Sequence, residues 1–213
     1  MASAPENLGA RRSKTRSALL DAGQRLFAVR PVDAVTVDEI VAEAGVAKGS
    51  FFNHFTDKHQ FARALAADIR SNVEAEVDRV NAGESDPLRR LTGGMLMAVQ
   101  FALSHRDRTL VMLRGSPLAT ARDHPLNRGL RLDLAAAGDA GLLREDGQEA
   151  ALLFWLGACN MLMVNVTERE FGRTRAAQRM EQMMVLALTG LGIAPDKARA
   201  LAAARAAQLK AMG

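Results

Sequence analysis

The stretch Thr36 to Phe55, TVDEIVAEAGVAKGSFFNHF, constrains what this chain can fold into more than any other. Thr36 followed by Glu39 is a capping box, in which each side chain satisfies a backbone N–H of the other residue. Val37, Ile40, Val41 and Ala44 then recur at i, i+3, i+4 and i+7, one apolar stripe of a short helix. Gly45 ends it where a left-handed backbone costs least. A second helix places Phe51 and Phe55 on one side and leaves Lys48, Ser50, Asn53 and His54 to face outward. Two short helices joined by a glycine turn form a helix-turn-helix. A helix anchored by apolar residues behind and carrying donors in front fits a DNA major groove. The motif therefore predicts duplex DNA as partner and a symmetric assembly to bind it.

The rest of the composition agrees with a helical protein. Of 213 residues 48% are apolar and 24% charged, aromatics make up 4%, and tyrosine is absent. Strands favour β-branched and aromatic residues, and no segment alternates with period two, so the chain is expected to be all-α with nine to ten helices. The single cysteine, Cys159, excludes an internal disulfide and offers no thiolate pair for zinc. The first ten residues lack the apolar core of a secretory signal and read as disordered, and a cytoplasmic location is expected. The longest apolar run, Ala150 to Val166, contains Asn160 and Asn165 and reads as a deeply buried helix that falls short of a bilayer span. Formal charge is +4, with Arg11, Arg12, Lys14 and Arg16 clustered just before the motif, where they suit a phosphate-contacting arm.

Along the chain, a helix is expected from about Ser13 to Val29, broken by Pro31, then the helix-turn-helix over 36–55. A long helix follows over 57–81, with Phe61, Leu65, Ile69, Val73, Val77 and Val80 in its stripe. Asp86 and Pro87 open the next, to about Ser104. Further helices are expected near 108–114, from Leu118 to Ala137 with a break at His124-Pro125, over 148–169 and 174–191, and from Pro195 to about Met212.

Residues 13–69 resemble the DNA-binding domain of the tetracycline-repressor (TetR) family of bacterial transcription regulators. The resemblance rests on Arg16, Leu20, Ala22, Leu26-Phe27, Thr36-Val37, Ile40, Ala44-Gly45-Val46, Lys48-Gly49-Ser50, His54-Phe55, Lys58 and Ala64-Leu65. It implies a DNA-binding domain over 11–56 and a helical ligand-binding and dimerisation domain over 57–213, with 57–81 connecting them. It also implies that Thr36 contacts phosphate, that Lys48, Ser50 and Asn53 reach base edges or nearby phosphate, and that Gly49 lets the backbone approach DNA. His54 and Lys58 would hold the DNA backbone. Two positions depart from the family pattern. Ala47 stands where Ser or Thr is usual. Phe52 replaces a tyrosine that donates to phosphate, and can pack only against sugar or a thymine methyl.

The same resemblance implies a homodimer formed by residues 148–169 and 174–191, a palindromic operator, and an effector cavity among the later helices. Leu152, Leu156, Cys159, Met163 and Val166 form one stripe of the first dimer helix; Met180, Met184, Ala187, Leu188 and Leu191 form a face of the second. Met95, Met97, Phe101, Met112, Trp155, Cys159 and Met163 are cavity candidates for a small, largely apolar effector, since methionine adapts to irregular shapes. Gln100, Arg114 and Asn160 could add polar contacts. Each of these apolar residues also suits plain core filling. No metal-ligand spacing, P-loop, GxGxxG or GxSxG is present, so neither cofactor nor enzyme activity is expected. The reading is a ligand-responsive repressor released from its operator by effector. A constitutive DNA-binding protein, or a small-molecule-binding protein with a vestigial helix-turn-helix, stands as the alternative.

Overall fold

A computed structural model describes residues 4–115 and 127–212. These residues form ten α-helices and no strand: α1 Ala4–Val29, α2 Val37–Ala44, α3 Lys48–Phe52, α4 Lys58–Val80, α5 Pro87–Ser104, α6 Arg106–Gly115, α7 Arg128–Asp139, α8 Gln148–Glu168, α9 Arg173–Gly190 and α10 Pro195–Ala211. The all-α expectation holds. The expected break at His124-Pro125 lies outside the described residues. α1 starts far earlier than expected: the polar opening residues are helical, because Ala, Glu, Leu and Arg are good helix formers even without an apolar stripe.

The described residues divide into two compact units: those through Ile69 with Leu110–Gly115, and Arg70–Thr109 with the residues from Asn127 onward. α4 contributes residues to each. The first unit is organised around phenylalanine. Phe27 of α1, Phe51 of α3, Phe55 in the turn after α3 and Phe61 in the first turn of α4 are all buried. Their ring centroids lie 4.9 Å apart for Phe55–Phe61, 5.4 Å for Phe51–Phe61 and 5.8 Å for Phe27–Phe61, in tilted or edge-on contacts. Aromatic rings of this size each contribute a few kcal/mol on burial. The cluster needs α1 to come close: a Cβ at Gly23 would collide with the Phe61 ring.

The second unit is built on α5, whose Leu88, Leu91, Met95, Leu96 and Val99 are buried against α7, α8, α9 and α10. Asp86 caps α5, accepting from the N–H groups of Leu88 and Arg89, and Pro87 follows at N1. Here the structure corrects one expectation. α8 is not deeply buried: over Ala150–Glu168 it is long and apolar enough by composition to cross a membrane, yet only 33% of that window is buried. Ala151, Trp155, Leu162, Met163 and Val166 face the core, while Leu152, Leu156 and Cys159 are only half-buried. Leu153, Phe154 and Met161 are exposed. On α9 the face Met180, Met184, Ala187 and Leu188 is core within the chain, and Leu186 points out at 66% exposure.

Candidate nucleic-acid interface

The capping box forms as its spacing predicts. Thr36 Oγ1 accepts from the Glu39 N–H at 3.2 Å, and the Thr36 N–H donates to the Glu39 carboxylate at 2.8 Å. That backbone donor, with Arg30 and the Thr36 hydroxyl, holds the Glu39 carboxyl down at about 2. Arg30 reaches it at 2.8 Å, and Arg25 reaches Glu43 at 2.6 Å, so two ion pairs tie α2 to α1 and to the residue that follows it. At the other end Gly45 takes φ 65°. The Val46 N–H returns to Val41 O and the Gly45 N–H to Ala42 O, a Schellman closure.

α3 is short. Its first residue follows Ala47, which supplies no side-chain cap, and its helical hydrogen bonding runs on through Phe55 N–H to Phe51 O. Phe51 is fully buried and Phe55 nearly so, which turns the opposite side of α3 outward. Lys48, Gly49, Phe52 and Asn53 are exposed, and Ser50 and His54 are half-exposed. Thr36, the N-cap of α2, is also exposed. Phe52 is 53% exposed and packs edge-on against Phe51 at 5.4 Å.

Two basic residues named from the sequence are engaged within the protein. Lys48 Nζ lies 2.8 Å from Asp38, bridging α3 to α2. Lys58 Nζ donates to the carbonyl of Asp33 at 2.9 Å and of Val35 at 3.3 Å, closing the loop ahead of α2. The arm on α1 joins the same surface: Arg12 donates to the Asn53 carbonyl at 3.2 Å, and the Arg16 guanidinium sits 5.9 Å from the Phe55 ring centroid. Burial, with the charges of Arg12 and Arg16 adding, lowers the His54 pKa and so favours the neutral ring. Sequence reasoning named this arm but not its grip on the C-terminal end of α3, since a contact across 41 residues leaves no local pattern.

In the second unit Met95 and Phe101 on α5, and Trp155 and Met163 on α8, are buried. Met112 is buried as well but groups with the first unit. Cys159 is half-buried, and burial pushes its thiol up to about 12, with the Glu74 charge adding. Gln100 is engaged by Arg173 at 2.6 Å. A polar group that sequence reasoning missed lies in the same unit. Arg70 binds Glu74 at 3.4 Å and the buried Asn127 side chain at 2.5 Å, and burial raises the Glu74 pKa. Only the i,i+4 spacing of Arg70 and Glu74 could have signalled it.

Comparison with known proteins agrees with this geometry. Residues 19–65 match the family model described as bacterial regulatory proteins, tetR family. The transcriptional repressor KstR2 of Mycolicibacterium smegmatis is 31% identical over 97 residues, which cover 46% of this chain and 47% of that protein. The chain thus spans about half the length of the curated relatives it matches. Across the fold, it superposes on a tetR-family regulator from Shewanella sp. PV-4 with TM-score 0.72 at 18% identity, covering 83% of this chain and 97% of that one. It also superposes on RolR in complex with resorcinol, with TM-score 0.63 at 22% identity, over 91% and 95% of the two chains.

Proposed function

Because this chain belongs, through its N-terminal domain, to the tetR family of bacterial regulatory proteins, we propose that it is a homodimeric transcription repressor released from operator DNA by a small-molecule effector. The observation that carries the reading is the outward ridge of α3, held at fixed height by the buried Phe51 and Phe55. Residues 11–56 act as the DNA-binding domain. Lys48, Ser50, Phe52 and Asn53 meet the major groove, and Thr36, His54 and the α1 arginines meet phosphate. Lys58 acts one step back, by holding the loop that carries Thr36.

Residues 57–213 act as the regulatory and dimerisation domain. The exposed apolar side chains Leu153, Phe154, Met161 and Leu186 support α8 and α9 as the dimer face in place of the stripes expected for it, of which Met163, Val166 and the α9 face are core while Leu152, Leu156 and Cys159 are half-buried. Phe154 and Gly190 adjoin, a Cβ at Gly190 lying 3.1 Å from the ring, so the two helices offer one surface. RolR is solved with resorcinol, which supports a small effector here, with Met95, Phe101, Trp155, Cys159 and Met163 as its apolar surround and Arg70 and Glu74 as polar contacts. Two recognition helices then occupy successive major grooves about 34–36 Å apart. Effector favours the arrangement that cannot, and by linkage operator weakens effector binding equally.

Selection of binding sites from a random duplex pool tests the reading. Enrichment of an inverted repeat is the expected result, and recovery of no sequence at all refutes it.

A further inference from the structure

Between the end of α8 and the start of α9 lies a cleft of about 410 Å³ lined by Asn165, Arg169, Phe171, Arg175 and Arg179. Three of the five carry a positive charge and none a negative one. Among the described residues, no carboxylate pairs with Arg169, Arg175 or Arg179. Neighbouring arginines differ: Arg173 donates to Gln100 and to the Leu209 carbonyl, and Arg106 donates to the Thr167 carbonyl and pairs with Glu170 at 3.3 Å. Glu168 is exposed and does not line the cleft.

Phe171 holds two of the three arginines. Its ring is nearly buried, and the guanidiniums of Arg175 and Arg179 lie 4.7 and 6.0 Å from its centroid. Stacking holds a guanidinium by its face and leaves its N–H edge free to donate. Phe171 reaches this place through the closure of α8, in which its N–H returns to Val166 O and the Glu170 N–H to Thr167 O. Glu170 takes φ 49° there, where the matching closure of α2 uses Gly45. A glutamate in the left-handed region is strained, and its carboxylate is drawn to Arg106, out of the cleft. Finally, Asn165 Oδ1 is buried with no hydrogen-bond partner. Guanidinium groups gathered around one cleft with an unpartnered acceptor suit an oxyanion that also bears a proton.

We propose that this cleft binds a phosphoryl group, either inorganic phosphate or a phosphate monoester, independently of DNA recognition. The arginine edges take the charged oxygens in the planar, two-pronged manner that guanidinium favours, and a protonated phosphate oxygen donates to Asn165 Oδ1. The test is thermal melting of the full chain without DNA, against inorganic phosphate, glycerol phosphate and malonate at matched ionic strength. A saturable rise of the midpoint with the phosphates, exceeding that with malonate, is expected; the stronger of the two phosphates identifies the source. In R175Q/R179Q the half-saturating concentration rises at least about tenfold, while R199Q, altered at an exposed arginine paired with Asp196, keeps the wild-type response. A double variant that responds like wild type overturns the site. So does a wild-type midpoint that moves no more with phosphate than with chloride, and malonate equal to phosphate overturns the phosphoryl assignment.

Discussion

Lys48 and Asp38 form an ion pair, 2.8 Å from Nζ to Oδ1, between the two helices of the DNA-facing motif. Both side chains are more than half exposed, so the pair contributes little to folding, on the order of the few tenths to 1 kcal/mol usual at surfaces. It matters more for recognition. On the proposed reading, the charge offered to DNA is already partnered by a carboxylate, which would face the same phosphates.

Asp38→Asn should therefore tighten duplex binding by a few fold, about 1 kcal/mol at most, and leave the melting midpoint nearly unchanged. Lys48→Ala should weaken binding, with a shallower dependence of affinity on salt if Lys48 meets phosphate. Filter binding over a salt series measures each. Equal affinities for wild type and both variants would remove the pair from the interface.

Two glycines in the motif separate folding from function. Gly45 needs its left-handed backbone, so Gly45→Ala should destabilise the domain by about 1 kcal/mol. Gly49 sits in α3 with ordinary backbone, and a Cβ there meets nothing within 4 Å. Gly49→Ala should stabilise by roughly 0.5–1 kcal/mol yet weaken DNA binding, because only an external surface can need the space. Denaturant melts paired with duplex titrations decide this. An alanine variant that binds as well as wild type shows that α3 does not approach the DNA backbone at Gly49.

Phe52 stands on the outer face, 53% exposed. Phe52→Tyr adds a phenolic donor at a site open to solvent, so stability should not change, and affinity for a selected duplex should rise by about 1 kcal/mol, a neutral donor on phosphate. No gain in affinity means that the ring does not reach a phosphate.

The lowered pKa of His54 makes a pH prediction. In the free protein burial and the charges of Arg12 and Arg16 favour the neutral ring, so its contribution to stability is present above 6.5 and is lost as pH falls through the lowered value. Phosphate placed beside His54 reverses the field and raises its pKa in the complex, so binding takes up a proton. Affinity should increase as pH falls from about 7.5 to about 6, and His54→Gln should flatten that slope. Parallel slopes for variant and wild type would place His54 away from phosphate.

Charged residues on the apolar face of α8 and α9 should dissociate the dimer without unfolding the chain. Met161 and Leu186 are 62% and 66% exposed, so M161E/L186E loses little intramolecular packing. Sedimentation should give one subunit for the variant and two for wild type, with operator affinity falling sharply because a single half-site binds weakly. A wild-type chain that sediments as one subunit would defeat the dimer outright.

The sequence by itself determined the local devices. The capping box of Thr36 and Glu39, the left-handed Gly45, the Asp86-Pro87 start and the register of Phe51 and Phe55 each depend on residues within one or two turns. Such contacts leave a fixed spacing in the chain, and the helices formed where those spacings predicted. Tertiary structure decided which of several apolar stripes became core. On α8 the candidates at Leu152, Leu156 and Cys159 yielded to Trp155 and Leu162, because a helix apolar on most sides carries no record of which neighbour arrives where. It also decided the partners of charge: Lys58 on the carbonyls of Asp33 and Val35, Arg12 on Asn53, Arg70 on Asn127. Those bonds join residues far apart in sequence, and a long flexible cation can satisfy many acceptors until packing brings one of them within reach.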